Sequence, residues 1–200
     1  MIGAWTWIVF ADSREPVRHL PNLITVLRFL LVLPAGWCIL RGAHGWAFAL
    51  FVLAGVSDGL DGALARGFGW TSRFGAVADP IADKLLVAVV YLALASRGLL
   101  PVWLAALVLG RDLLIVAGAL AYHRLVAPLE PDPTRLGKLN TLGNVVFVGL
   151  VLAELAIPAL APLEPLVAVG IWGMAALTVL SGADYVRLWG GRALRGGAIT

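Results

Sequence analysis

Charged residues are scarce in this chain. Of its 200 residues, 14% are charged and 60% are hydrophobic. A soluble domain usually has about a quarter of its residues charged, so this chain has too few charges to cover a water-exposed surface. The mean hydropathy of +0.92 points the same way. These values exclude an ordinary water-soluble domain and predict that lipid surrounds most of the chain.

Cysteine is also nearly absent, and the N-terminus lacks a basic start. Cys38 is the one cysteine, so no disulfide can form within the chain. Its place in an apolar run indicates packing rather than chemistry. A signal peptide has a basic segment ahead of its apolar stretch, and residues 1–10 have none. We therefore expect residues 1–20 to remain as an interfacial segment.

The apolar runs predict an all-α integral membrane protein with six transmembrane helices. The third run is short and must extend back through Asp79 to cross a membrane. The six-helix membrane domain is expected over residues 21–189, with a loop at 128–135 and a flexible tail at 190–200. The predicted spans are residues 23–40, 46–65, 81–95, 101–122, 139–157 and 163–180.

Basic residues are distributed unevenly between the two predicted sides of the membrane. The side opposite the termini carries only Arg41 and Arg97. By the positive-inside rule, both termini are therefore expected in the cytoplasm, which agrees with an even number of spans. The other side carries ten: Arg14, Arg18, Arg66, Arg73, Arg124, Arg135, Lys138, Arg187, Arg192 and Arg195.

Four aspartates cluster between residues 57 and 84. Asp58 and Asp61 are three residues apart near the end of the second predicted helix, and Asp79 and Asp83 are four apart at the start of the third. On helices, each pair shares one face. Burying unpaired carboxylates is costly, and hard divalent cations such as Mg²⁺ or Mn²⁺ remove that cost. The pattern predicts a two-metal site suited to phosphoryl chemistry.

Small and basic residues lie beside these aspartates. Gly62 and Ala65 share the helix face of the first aspartate pair, where small side chains let a bulky ligand such as a nucleotide approach the backbone. Arg66 offers a planar fork to a phosphate group. Gly75 loosens the predicted loop and could admit a ligand to the metal ions.

Other interpretations exist for single residues. Asp79 before Pro80 could be a helix N-cap, and Asp58 before Gly59 could form a turn. Neither explains two aspartate pairs at helical spacing. A transporter would place ionisable groups near the membrane midplane, whereas these aspartates cluster at one end of two helices. A non-catalytic scaffold would keep its function after alanine substitution of the aspartates.

The same segment resembles the CDP-alcohol phosphatidyltransferase family, whose pattern is D-x2-D-G-x2-A-R-x8-G-x3-D-x3-D. The resemblance extends over nearly all of the chain beyond the first twenty residues. It implies a six-helix membrane fold, usually homodimeric, with the active site facing the cytoplasm of a bacterial inner or plasma membrane and no nucleic-acid partner. All spacings are met, at Asp58, Asp61, Gly62, Ala65, Arg66, Gly75, Asp79 and Asp83.

The resemblance also implies roles for individual residues. The four aspartates would hold two divalent ions, Mg²⁺ or Mn²⁺, and Asp83 would act as general base on the acceptor hydroxyl. CDP-diacylglycerol would donate its phosphatidyl group and release CMP. In the first helix, Asn22 could instead be an N-cap. The nucleotide-binding residues would be Gly62, Ala65, Arg66, Gly75, Asn22 and Thr25.

Weaker matches concern the acceptor alcohol. Residues 111–115 and 138–141 look more like CMP-forming cardiolipin synthases, which use phosphatidylglycerol, than like phosphatidylglycerophosphate synthases, which use glycerol 3-phosphate. Arg111, Arg135 and Lys138 are the predicted acceptor-binding residues, although Arg111 could pair internally with Asp112. Phosphatidylglycerol is the expected acceptor and glycerol 3-phosphate the alternative. A CDP-linked polar alcohol as donor also fits the shared motif.

Overall fold

The computed structural model describes residues 20–68, 73–125 and 134–196, and side chains within 30–57, 84–121 and 134–188. Every regular element in these ranges is helical, which confirms the predicted all-α class. A short 3-10 helix, Pro158–Leu163, connects the last two α-helices. The α-helices are α1 (Leu20–Leu40), α2 (His44–Phe68), α3 (Arg73–Ser96), α4 (Val102–Leu125), α5 (Arg135–Ala156) and α6 (Glu164–Gly196).

Three helical stretches are long and apolar enough to cross a membrane. They are Val102–Ala121, Arg135–Ala156 and Pro158–Leu188. Large apolar side chains on these stretches point outward, and Leu113 and Trp172 are 70% and 69% exposed. An exposed apolar surface on long helices is what lipid contact requires, so the protein is a membrane protein. The count of six spans and the cytoplasmic termini stay predictions.

The helix bounds decide between several interpretations of single residues. α3 begins at Arg73, so Asp79 lies inside the helix and the N-cap interpretation is wrong. The expected extension of the third apolar run is thereby confirmed. α2 continues without interruption through Asp58, so the turn interpretation is wrong as well. α1 begins at Leu20, so Asn22 lies inside its first turn and the N-cap interpretation is wrong for this residue too.

The predicted terminal segments and loop are only partly within the residues that the structure describes. Residues 1–19 and 126–133 lie outside the described residues, and with them most of the predicted interfacial segment and loop. α6 continues to Gly196, into the range predicted to be a flexible tail. Hydropathy detects only the lipid-embedded part of a helix, and arginine, leucine and alanine near the C-terminus are good helix formers in water as well.

α1 and α3 end in the same way. Gly42 and Gly98 have φ angles of 74° and 71°, the left-handed conformation that favours glycine. At the first of them, the Ala43 N–H donates to the Cys38 carbonyl at 2.8 Å, which satisfies a carbonyl at the helix end. The same pairing recurs around Gly98. The two helices therefore terminate sharply, each at an Arg-Gly pair.

Helix packing centres on α1, α3 and α5. α1 packs against α2 and α3, α5 packs against α2 and α6, and α4 packs against α3 and α6. The core includes Tyr91 and Leu94 from α3, Leu104 from α4 and Leu152 from α5. The approach of α1 to α3 requires a glycine, because a Cβ atom at Gly36 would lie only 2.5 Å from Val89 Cγ1 on α3.

A buried chain of polar side chains connects α3, α5 and α6. The Tyr91 hydroxyl donates to Asn144 Oδ1 at 2.8 Å, and Asn144 Nδ2 donates to the Asn140 carbonyl at 2.9 Å. Thr178 Oγ1 donates to Asn140 Oδ1 at 3.0 Å. Lipid offers no hydrogen bonds, so a membrane bundle must satisfy such groups internally. These bonds therefore fix the three helices relative to one another.

Candidate active site

The bounds of α2 and α3 place the predicted metal-binding aspartates at matching levels. Asp58 lies ten residues before the end of α2, and Asp83 lies ten residues after the start of α3. At 1.5 Å per residue, each is about 15 Å from its helix end. Asp61 and Asp79 are about 10 Å and 9 Å from the same ends. In an antiparallel pair, each aspartate would therefore face one on the other helix at nearly equal depth.

The connection between the helices favours that antiparallel arrangement. Only four residues, 69–72, separate α2 from α3. So short a segment keeps the two helix ends within about 18 Å of each other. Both helices also pack against α1. Short connections usually join antiparallel neighbours in helical bundles, so we expect the two aspartate pairs to lie at one end of the bundle.

The side chains of all four aspartates lie outside the described part of the chain. The same holds for the predicted nucleotide-binding side chains, so their contacts stay predictions. Among the side chains that are described, no group of three or more histidine, cysteine, aspartate or glutamate residues is present. The helices place Asn22 and Thr25 on α1, and Gly62, Ala65 and Arg66 on α2. Gly75 lies inside α3, which begins at Arg73, so the prediction that it loosens a loop is wrong.

The chemistry of this donor set fits two divalent cations. Each helix contributes two carboxylates at a spacing that puts them on one face. Carboxylate oxygens are hard ligands, and Mg²⁺ or Mn²⁺ prefers such ligands. In an antiparallel arrangement, the matched depths would let both pairs reach one shared space. Residues on two helices thus fit a shared two-metal site without requiring a loop residue.

A charged cluster begins one residue after Asp83. Lys84 Nζ on α3 lies 3.9 Å from Asp112 Oδ1 on α4. The same oxygen accepts a 2.7 Å hydrogen bond from Arg111 Nη1. Arg111 Nη2 donates to Ser181 Oγ on α6 at 2.5 Å. An ion pair and hydrogen bonds therefore connect α3, α4 and α6. This cluster lies close to the level of Asp83, the predicted general base, along α3.

Arg111 is buried, and its charge is paired within the protein. The residue is only 8% exposed, and a buried cation is costly unless a counterion is close. Asp112 supplies that counterion, so the internal pairing considered from the sequence is present. Among the residues that the structure describes, Arg111 Nε is buried and has no hydrogen-bond partner. One donor on this guanidinium therefore remains for a further acceptor group.

Tyr185 links this cluster to the start of α5. The guanidinium carbon of Arg111 lies 5.5 Å from the centroid of the Tyr185 ring. A Cβ atom at Gly137 would lie 3.0 Å from the edge of the same ring, so glycine permits the contact. Arg135 and Lys138 flank Gly137 and are exposed. Tyr185 thus connects Arg111 to the segment of α5 that carries the other two predicted acceptor-binding residues.

Sequence analysis alone missed the contribution of α6. Ser181 binds Arg111, and Thr178 binds Asn140, both within an otherwise apolar stretch. The two hydroxyl residues are three apart and fully buried. That spacing places them on one helix face, and buried polar residues in a membrane helix indicate interhelical hydrogen bonds. Their pattern could have revealed which face of α6 points inward.

Comparison with known proteins gives one consistent family. The family model for CDP-alcohol phosphatidyltransferase matches residues 18–180. A probable phosphatidylglycerophosphate synthase of Mycobacterium tuberculosis is 36% identical over 190 residues, which cover 92% of this chain and 85% of that protein. A probable CMP-forming cardiolipin synthase of Drosophila melanogaster is 30% identical over 192 residues, 88% of this chain and 59% of that protein.

A solved structure shares the fold. The crystal structure of Mycobacterium tuberculosis phosphatidylinositol phosphate synthase with CDP-DAG bound matches with a TM-score of 0.59. The sequences are 22% identical, and the match covers 84% of this chain and 85% of that one. The family match spans most of the chain and includes every position of the aspartate motif. The chain therefore belongs to the CDP-alcohol phosphatidyltransferase family and is a membrane-bound transferase of phospholipid synthesis.

Proposed function

We propose that this enzyme transfers the phosphatidyl group of CDP-diacylglycerol to phosphatidylglycerol, forming cardiolipin and CMP. The observation that carries the choice of acceptor is the pairing of Arg111 with Asp112. The aspartate offsets the charge of one of the three predicted acceptor-binding cations. Arg135 and Lys138 are both exposed at the start of α5, and among the described side chains neither forms an ion pair.

The charge of the acceptor decides how strong a cation cluster it needs. Glycerol 3-phosphate is nearly doubly charged at neutral pH, whereas phosphatidylglycerol carries one phosphodiester charge. A buried arginine that is already paired gains less from a second anion than an unpaired one. The weakened cluster therefore suits the singly charged lipid better. Arg111 Nε could still donate one hydrogen bond to a phosphodiester oxygen.

The donor follows from the family and the related fold. The solved relative of the same fold was crystallised with CDP-DAG. The cytidine nucleotide would lie against Gly62, Ala65 and Arg66, with Gly75, Asn22 and Thr25 nearby. Small residues at the first two positions would let the nucleotide lie on the helix backbone. Arg66 would hold a phosphate with two parallel hydrogen bonds.

The chemistry assigned to the chain is a single displacement at phosphorus. The carboxylate of Asp83 takes the proton from the acceptor hydroxyl, and the hydroxyl oxygen forms a bond to the phosphorus of the phosphatidyl group. The bond from that phosphorus to CMP breaks, and CMP leaves with the electron pair. Two divalent ions on Asp58, Asp61, Asp79 and Asp83 would neutralise the phosphate charges.

We also propose where the enzyme lies in the cell. The excess of basic residues on one side supports cytoplasmic termini and a catalytic end facing the cytoplasm of a bacterial inner or plasma membrane. CDP-activated lipids present their nucleotide to water, so such a site would meet the nucleotide at the membrane surface. A homodimer is proposed from the family resemblance.

Glycerol 3-phosphate is the second candidate acceptor. The mycobacterial relative is named as a probable phosphatidylglycerophosphate synthase. The match covers 85% of its length. The relatives named cardiolipin synthase match over a similar part of this chain. The distinction depends on the acceptor alone, since donor, leaving group and metal chemistry are shared.

The deciding experiment compares the two acceptors in one assay. Purified enzyme in mixed micelles receives CDP-diacylglycerol and Mg²⁺ with either phosphatidylglycerol or glycerol 3-phosphate, and CMP release is measured. We expect release with phosphatidylglycerol and the appearance of cardiolipin. Release with glycerol 3-phosphate alone would overturn the acceptor assignment while keeping the family chemistry.

The same assay tests the basic residues at the start of α5. The double substitution Arg135→Gln and Lys138→Gln should raise the KM for the acceptor about tenfold, because two favourable phosphate contacts are lost. The KM for CDP-diacylglycerol should stay unchanged. Arg187→Gln, an exposed arginine on α6, is the matched control. An equal rise in both KM values would argue against a role specific to the acceptor.

A further inference from the structure

An apolar groove lies between α1 and α3, at their C-terminal ends and far from the aspartates. Its volume is about 860 Å³. Leu33 and Trp37 of α1 and Leu92 of α3 form its walls, and all three are more than half exposed. Its floor lies at Gly36, where the two helices approach most closely. The groove therefore offers a continuous apolar surface that opens to the outside of the bundle.

Two arginines lie at the end of this groove. Arg41 follows the last residue of α1, and Arg97 follows the last residue of α3. The guanidinium carbon of Arg41 lies 4.6 Å from the ring centroid of Trp37, which lines the groove. Arg97 Nη2 lies 3.9 Å from the point where a Cβ atom on Gly42 would be, in the turn after α1. Both side chains thus converge on the end of α1.

Both arginines are exposed and keep their charge available. Among the side chains that the structure describes, neither has a carboxylate within 4.0 Å. These are also the two basic residues that the sequence assigns to the side of the membrane opposite the termini. The mouth of the groove therefore combines two exposed arginines with an indole ring, next to a largely apolar channel.

The depth of the arginines matches a lipid headgroup. Arg97 comes 18 residues after Asp79 along the helical direction of α3. At 1.5 Å per residue this is about 27 Å, close to the roughly 30 Å thickness of the hydrocarbon core. The aspartate end and the arginine end therefore lie near opposite membrane surfaces. Trp37 is exposed beside Arg41, and tryptophan is enriched at the interface between membrane and water.

We propose that this groove binds an anionic diacyl phospholipid from the leaflet opposite the active site. One acyl chain lies along Leu33 and Leu92, and the phosphodiester lies between Arg41 and Arg97. Arginine forks match phosphate oxygens, and each cation near a membrane surface favours an anionic lipid. A second copy of this chain placed symmetrically on the groove would bring its own arginines against these two, which charge repulsion disfavours.

The test uses a fluorescent reporter inside the groove. Cys38→Ser with Leu92→Cys gives a single thiol for a bimane label, and the protein is placed in phosphatidylcholine nanodiscs. Dibrominated phosphatidylglycerol or dibrominated phosphatidylcholine with the same acyl chains is then added as quencher. We expect half-maximal quenching at a mole fraction at least about fivefold lower for the anionic lipid, because two arginines attract its phosphate. The label reports on the groove alone, even if phosphatidylglycerol also binds elsewhere.

Matched variants separate the arginines from general surface charge. Arg41→Gln with Arg97→Gln should make the two quenching curves coincide. Arg187→Gln with Arg192→Gln removes the same charge from α6 and should keep the difference. A label at Leu33 in place of Leu92 should repeat the result. Equal quenching by both lipids, a preference that survives loss of Arg41 and Arg97, or a label shielded from both lipids by a second copy would overturn the proposal.

Discussion

Replacing Asp83 by asparagine is expected to lower CMP release about 10³-fold, within the range that general bases contribute. Asparagine keeps the size of the side chain but cannot accept the acceptor proton. α3 runs from Arg73 to Ser96, so the substitution falls inside a helix and needs no change of backbone. The measurement is the initial rate of CMP release at saturating CDP-diacylglycerol and acceptor.

The control for this substitution is Glu164→Gln, which removes one carboxylate from an exposed position at the start of α6. It should leave the rate within about twofold of the unmodified enzyme, as surface substitutions usually do. Both variants should elute as folded protein in detergent. If the Asp83→Asn enzyme retains more than one-tenth of the normal rate, Asp83 is not the general base.

Removal of divalent ions is expected to reduce CMP release to the uncatalysed background. Without cations, four carboxylates on α2 and α3 would repel the two phosphates of the donor as well as each other. Treatment with EDTA followed by dialysis should abolish activity, and Mg²⁺ or Mn²⁺ should restore it. The measured quantity is the CMP release rate against added metal concentration.

Loss of activity by unfolding must be distinguished from loss of metal. The tertiary contacts between α3, α5 and α6 are hydrogen bonds and packing that need no ion. The protein should therefore keep its helical circular dichroism signal in EDTA and regain its rate on addition of Mg²⁺. Full activity after exhaustive removal of divalent ions would contradict a metal-dependent mechanism.

The helical class and the level of the aspartates were predictable because local pattern determines both. Apolar runs define membrane helices, and the short third run had to include Asp79 to reach the required length. The structure confirms that α3 begins well before this residue. Helical spacing then fixes which aspartates share a face, whatever the rest of the fold does.

The surroundings of Arg111 could be predicted only in part. Its neighbour Asp112 was an evident partner, because a lone arginine in an apolar helix needs a counterion. The contacts with Ser181 and Tyr185 join residues about seventy positions apart. Such contacts depend on how α4 and α6 pack, and helix periodicity does not determine which helices become neighbours.

The groove between α1 and α3 was also beyond prediction from the sequence. Arg41 and Arg97 are 56 positions apart, and only the parallel packing of α1 and α3 brings their helix ends together. The shared Arg-Gly ending was visible in the sequence as two separate helix stops. The two endings come together because Gly36 has no side chain, which lets α1 and α3 pack closely.

Mn²⁺ binding measures the aspartate site most directly, because electron paramagnetic resonance counts bound ions without any substrate. Two ions per chain are predicted for the unmodified enzyme. Asp61→Asn with Asp79→Asn, one carboxylate from each helix, should weaken binding by at least about tenfold. Glu154→Gln with Glu164→Gln removes the same charge elsewhere and should leave binding unchanged. Unchanged Mn²⁺ affinity in the aspartate double variant would contradict a metal site shared by α2 and α3.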